Sequence, residues 1–158
     1  MIFPSFNVLL SNYKGDSYSP EQIFNLIGGK VLANHKQNAK DFLNTCALRM
    51  SYAFNYSGIS IPFIKDKTGS GADGKWYFYR VSDLHNYILD NFYSSLTLTG
   101  IKRNDFIGTK GVILFKVNSW FDSTGHFTLW DGKKSVHGDY FNEANSVTLW
   151  IIEKEQTV

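Results

Sequence analysis

GHFTLWDGKKSVHGDYF, residues 125–141, decides which kind of fold this chain makes. Aromatic and β-branched residues run from Gly125 to Trp130, and Asp131-Gly132 is the strongest turn dipeptide present, so the segment reads as a strand entering a hairpin. Asp131 then belongs to the turn. If the hairpin folds about Gly132-Lys133, position 139 lies directly across from position 126 and Asp139 faces His126. Opposed side chains in an antiparallel pair are close enough for a carboxylate to fix the tautomer of an imidazole. A slip in register would set His137 or Gly138 opposite His126 instead.

Working outward, GVILFKV (111–117) and SVTLWII (146–152) read as further strands, with another expected around 135–141. Upstream the pattern is helical. In SPEQIFNLIGG (19–29), Ser19 caps, Pro20 takes the first helical position and Gly28-Gly29 ends an Ile23/Phe24/Ile27 stripe. Ala39, Phe42 and Leu43 keep helical spacing, and NTCALRMSYAFNYSG (44–58) predicts a helix stopped by Gly58. KWYFYRV (75–81) predicts a strand, and SDLHNYILDNFY (82–93) a helix capped by Ser82. Helices followed by an antiparallel sheet give an α+β fold. No repeat or linker divides the chain, so residues 1–158 are expected to form one domain.

A hydrophobic fraction of 43% against 19% charged residues fits a globular protein with a full core. The net charge of +2 rests on scattered Lys and Arg, which excludes the basic footprint of a nucleic-acid binder. No apolar run is long enough for membrane insertion, and the start MIFPSFNVLLSNYKGDS lacks a basic n-region and a cleavage site. The chain is thus expected to start in the cytoplasm and not to use the general secretion route. GSGADG lacks the Gly-Lys-Ser/Thr ending of a phosphate loop, so residues 69–74 read as a glycine-rich loop and a candidate rim.

The lone cysteine, Cys46, excludes an internal disulfide and a multi-cysteine zinc site. It stands at the start of its predicted helix, with Asn44 and Thr45 as competing caps. Backbone N–H groups and the dipole there favour a thiolate and could hold an oxyanion. A buried, inert cysteine fits the same position, because Cys46, Met50 and Ala53 share one helical face. With His126 as base and Asp139 as orienter, the residues nonetheless form a nucleophile, base and acid set. Arg49 is a candidate for a substrate carboxylate, competing with an ion-pair or solvated role; Trp120 and His137 are candidates to line a groove. Trp130 reads as core or groove wall, and His35 and His85 as solvated.

Cysteine on a helix, then histidine on a strand, then aspartate is the chain order of papain-like and NlpC-type peptidases. The wording NTCALRMSYAFNYSGISIP (44–62), with GHFTLWDG and GDYF, closely resembles the fourth family of type VI secretion amidase effectors. The resemblance implies a papain-like/NlpC-type fold with N-terminal helices packed on a C-terminal sheet. It implies Cys46 as nucleophile, His126 as general base and acid, Asp139 as orienting acid, and neither metal nor organic cofactor. The implied substrate is the peptidoglycan stem peptide, cut between γ-D-glutamate and meso-diaminopimelate. The implied partners are a cognate immunity protein and the type VI secretion apparatus, which carries the toxin from the donor cytoplasm to the recipient periplasm. Another papain-like hydrolase or acyltransferase, and a non-catalytic α+β binding module, are the competing readings.

Overall fold

The computed structural model describes residues 1–38, 44–120 and 124–155. The helical spacing of Ala39, Phe42 and Leu43 falls outside these residues.

Helices α1 (Phe6–Asn12), α2 (Pro20–Ile27), α3 (Gly29–Gln37), α4 (Cys46–Tyr56) and α5 (Val81–Asn91) supply the helical layer. α2 starts as its sequence dictates, with Pro20 in the first turn. The Ser19 hydroxyl accepts from the Gln22 amide (3.2 Å) while Gln22 Oε1 accepts from the Ser19 amide (2.7 Å), a reciprocal capping box. α5 differs: it begins at Val81, one residue before the expected cap, and Arg80 at the N-cap makes no side-chain bond. The glycine-rich stretch is also redrawn. Thr68–Ser70 forms β1, paired with β2 (Trp76–Phe78), and the Ala72 amide donates to Ile27 O (2.8 Å). The tip thus packs on the α2–α3 junction, where a Cβ on Gly29 would lie 2.5 Å from the Gly71 carbonyl carbon. It is no rim of the cleft described below.

The main sheet is antiparallel throughout, in the order β3 (Thr97–Gly100), β6 (Ser146–Lys154), β4 (Thr109–Lys116), β5 (Gly125–Trp130). Both faces are covered. Val112, Leu114, Phe127, Leu129 and Trp150 pack with α1, α4 and α5, whereas Ile113, Phe115, Trp130, Val147 and Leu149 join a second cluster containing Phe106. Burial on two sides explains why β4 reads as an unbroken apolar run instead of an alternation. Trp130 belongs to the core, its indole N–H donating to Phe106 O (2.9 Å).

α4 runs through the middle of the molecule. Met50, Ala53 and Phe54 join the cluster against the sheet while Leu48 packs with Ile23, Phe24 and Tyr77, so the helix is buried nearly all round. This placement seats its first residue, Cys46, beside strand β5.

The strand expected over 135–141 is reduced to one bridge, Trp130 with Ser135, and one further bond from the Val136 amide to Leu129 O (2.9 Å). The His137 amide donates to the Thr128 hydroxyl (3.1 Å), and the Phe127 amide, which would form the next rung with Gly138, donates to Cys46 Sγ (3.4 Å). Gly138 then takes φ +78° and turns the chain away. The tight turn itself forms as read, Asp131 Oδ1 accepting from the Lys133 and Lys134 amides (2.9 and 2.8 Å).

Candidate active site

An open cavity of about 520 Å³ lies where the start of α4 meets β5, and Asn44, Cys46, Trp120, His126, His137 and Tyr140 are among its lining residues. Two of the sequence candidates, Cys46 and His126, thus meet in one cleft although 80 positions separate them.

Cys46 Sγ accepts from the amide of Phe127, the residue after His126 (3.4 Å). Asn44 braces the same junction. Its Oδ1 accepts from the Cys46 amide (3.0 Å) and its Nδ2 donates to Gly125 O (3.1 Å), tying the helix start to the strand start. Thr45, the residue at the N-cap, makes no capping bond through its side chain. Asn44 therefore takes the backbone donor that the sequence reading left open for an oxyanion. Its place two residues before a helix-start cysteine was the legible signal; its bridging role was not.

The expected resting thiolate is also revised. Burial pushes the Cys46 thiol up to about 12, against the downward pull of the Phe127 and Ala47 amides and the Arg49 charge. Burial likewise lowers His126 to about 4, with the His137 carbonyl pulling the other way and the His137 and Arg49 charges adding to the fall. The pair is therefore neutral at pH 7, a thiol beside an imidazole.

A carbonyl can only accept, so the 2.6 Å contact of His126 Nε2 with His137 O puts the ring proton on Nε2. Nδ1 carries the lone pair. In this structure the Nε2 proton is thus held by a backbone oxygen two residues before Asp139. Asp139 is not directly across from His126; its carboxylate pairs with Arg103, and its Oδ1 accepts from the Phe141 amide (3.3 Å). The cause is the early end of the hairpin ladder at Phe127 and Gly138.

Arg49 is not free to meet a substrate carboxylate. It is 2% exposed, its Nε donating to Thr45 Oγ1 (2.9 Å) and its Nη atoms to the carbonyls of Lys14, Gly15 and Tyr18 (3.0, 2.7 and 2.8 Å). It brackets the 14–18 loop against α4. His137 sits at the cleft with its imidazole on the carboxylate of Asp16, a residue the sequence reading did not single out. Trp120 lines the cleft edge-on to Tyr140 (4.7 Å), whose ring also meets His126 (5.0 Å). The two remaining histidines are not solvated as expected: His35 stacks on Phe24 (3.8 Å) and bonds Glu21, and His85 is half-buried against Trp150.

A lowered imidazole pKa stabilises the fold above the unfolded value of 6.5, and this contribution is lost as pH falls toward about 4. A raised thiol pKa stabilises it below the unfolded value of 9.0, with loss toward about 12. Thermal melts should therefore show an acid-side decline between pH 6.5 and 4, worth about 3 kcal/mol from His126. His126→Asn should lose that component of the slope; an unchanged pH profile in the variant would contradict the assignment.

The chain matches the family model described as type VI secretion system (T6SS), amidase effector protein 4, over residues 42–150. It is similar to the effector Tae4 from Salmonella typhimurium, solved with the immunity Tai4 from Enterobacter cloacae, at 33% identity and a TM-score of 0.84. That match covers 96% of this chain and 100% of the other. The Tae4 of the Tae4-Tai4 complex from Enterobacter cloacae matches at 30% identity and a TM-score of 0.83, again over 96% and 100% of the two chains. A comparison with curated proteins gives no match. The helices and antiparallel sheet are the papain-like, NlpC-type α+β arrangement. With the family model spanning both the Cys46 and His126 segments and the effector structures overlapping nearly the whole chain, this protein belongs to the type VI secretion amidase effector 4 family.

Proposed function

We propose that the chain hydrolyses the γ-D-glutamyl–meso-diaminopimelate bond of the peptidoglycan stem by acyl transfer, with Cys46 as nucleophile, His126 as base and acid, and Asp139 as orienter. The observation that carries this reading is the contact of the Cys46 sulfur with the amide next to His126, inside one open cleft. With both groups neutral, attack and proton transfer run together. Sγ adds to the γ-glutamyl carbonyl as the thiol proton passes to His126 Nδ1. The oxyanion forms at the positive end of α4, where the Cys46 amide exchanges Asn44 Oδ1 for it. His126 returns the proton to the departing amine, the C–N bond breaks and a thioester remains. Water then attacks the thioester, losing its proton to His126, and the thiol leaves re-protonated.

Asp139 enters by exchanging Arg103 for the imidazole. Gly138 supports this, since a Cβ there would lie 2.7 Å from His126 Nε2, and Asp139 is the next residue along. The positive charge that builds on His126 during attack draws the carboxylate in. Asp139→Ala is expected to lower turnover about 100-fold or more, whereas Arg103→Gln frees the carboxylate and leaves turnover equal or higher. A matching loss in both variants would show that Asp139 acts only through Arg103.

The family is one of toxins delivered by the type VI apparatus to the recipient periplasm. No helix among the described residues is long and apolar enough to cross a membrane. Relatives are solved in effector-immunity complexes with Tai4, and a cognate immunity protein of this chain would block it by covering the Cys46 cleft. Mass spectrometry of purified tetrapeptide muropeptides tests the reading directly. Products ending in γ-D-glutamate are expected; intact stems after prolonged incubation would reject it.

A further inference from the structure

A second cavity, of about 460 Å³, opens between α3, the segment before β1 and the β1–β2 hairpin, away from Cys46. Phe63 projects into it, 61% exposed, and meets Trp76 with ring centroids 5.0 Å apart and planes at 57°. An exposed phenylalanine beside a half-buried tryptophan leaves an angled pair of aromatic faces unfilled. Polar groups ring them: Lys30, Asn34 and Arg80 line the same cavity. Arg80 is held in place, donating to Asp66 O (3.2 Å) and facing the Asp83 carboxylate (3.6 Å). Asp66, also on the cavity wall, is the one non-glycine residue with positive φ among the described residues, at +64°.

We infer that this cavity binds the glycan strand of the wall polymer whose stems the Cys46 cleft cuts, a reading that rests on the amidase function proposed above. The chemistry fits an amino sugar. Aromatic faces carry negative charge density that attracts the weakly positive axial C–H face of a pyranose. Amide, ammonium and guanidinium groups at the rim suit the hydroxyl and acetamido oxygens. The volume falls within the range of small-molecule sites and holds one to two sugar rings.

The spacing fits as well. Asn55, in the last turn of α4, donates through Nδ2 to Trp76 O (2.8 Å) and ties the aromatic platform to the helix that begins at Cys46. Nine residues of helix separate the two ends, about 14 Å at 1.5 Å per residue. A stem peptide spans a lactyl group and two residues, the second linked through its γ-carboxyl, between the sugar and the scissile bond, roughly 13 Å when extended.

Phe63→Ala in the full chain tests this. Digestion of intact sacculi should fall about tenfold, chiefly through KM, while cleavage of a free, glycan-less tetrapeptide stem stays unchanged; Phe63→Trp should restore the sacculus rate. Tetraacetylchitotetraose should bind the Cys46→Ala chain and fail to bind Cys46→Ala/Phe63→Ala. Unchanged sacculus digestion, or an equal fall on both substrates, overturns the glycan site. If Phe63→Ala instead weakens only inhibition by the immunity protein, the face belongs to that partner and the glycan site is likewise overturned. Failure of the amidase reading would show separately, as no cleavage of the free stem by the unsubstituted chain.

Discussion

Cys46→Ala is expected to abolish stem cleavage, cutting turnover by roughly 10⁴–10⁶-fold, the range seen when a nucleophile is removed from an enzyme acting by covalent catalysis. The reason is local. Among the described residues Cys46 is the only thiol in the cleft, and the chain has no second cysteine to substitute for it. The fold survives the change, because alanine keeps the helix start and the Asn44 bond to the residue-46 amide, which involve no sulfur. What is lost is the acceptor for the Phe127 amide, at a cost of about 1–3 kcal/mol. Product analysis by mass spectrometry beside a melting curve separates the two effects. A folded variant that still cleaves stems would remove Cys46 from the mechanism.

The largest effect on stability is expected at Arg49. Its guanidinium donates to one hydroxyl and three backbone carbonyls, so Arg49→Ala leaves the Lys14, Gly15 and Tyr18 oxygens without their donors and opens a void beside Cys46. A cost of about 3–5 kcal/mol follows, or a fall in Tm of about 10 °C for a domain of this size. Arg49→Lys keeps the charge but not the fork, and should recover only part of the loss. Chemical denaturation read alongside KM gives the decision. A variant of native stability with a raised KM would return Arg49 to the substrate-binding role that its sequence position first suggested.

Much of the fold was legible because local rules and tertiary demands agree. The Ser19–Gln22 box, the α4 helix ending before Gly58 and the apolar β4 strand each carry their own signal. α1 and β3 were missed: α1 buries only Phe6 and Leu9, and β3 is a short edge strand of Thr, Leu and Gly with little apolar pattern. At the site, a cysteine at a helix start and a histidine at a strand start were readable as candidates, since each depends on a local environment. Their meeting was not readable, because it depends on α4 packing against β5.

The hairpin shows where reading by residue stops. Residue types alone determined the turn at Asp131-Gly132 and the direction of the chain after it. Whether pairing continued to position 139 was settled by the Phe127 amide, which donates to Cys46 Sγ where the next rung of the ladder would form, and by Gly138, which turns the chain so that a carbonyl meets His126. Ionisation followed the same division. Sequence placed Cys46 where a helix dipole favours a thiolate, but desolvation grows with how completely other elements enclose a group. In this fold that enclosure outweighs the dipole and the nearby donors, and leaves a neutral thiol beside a neutral imidazole.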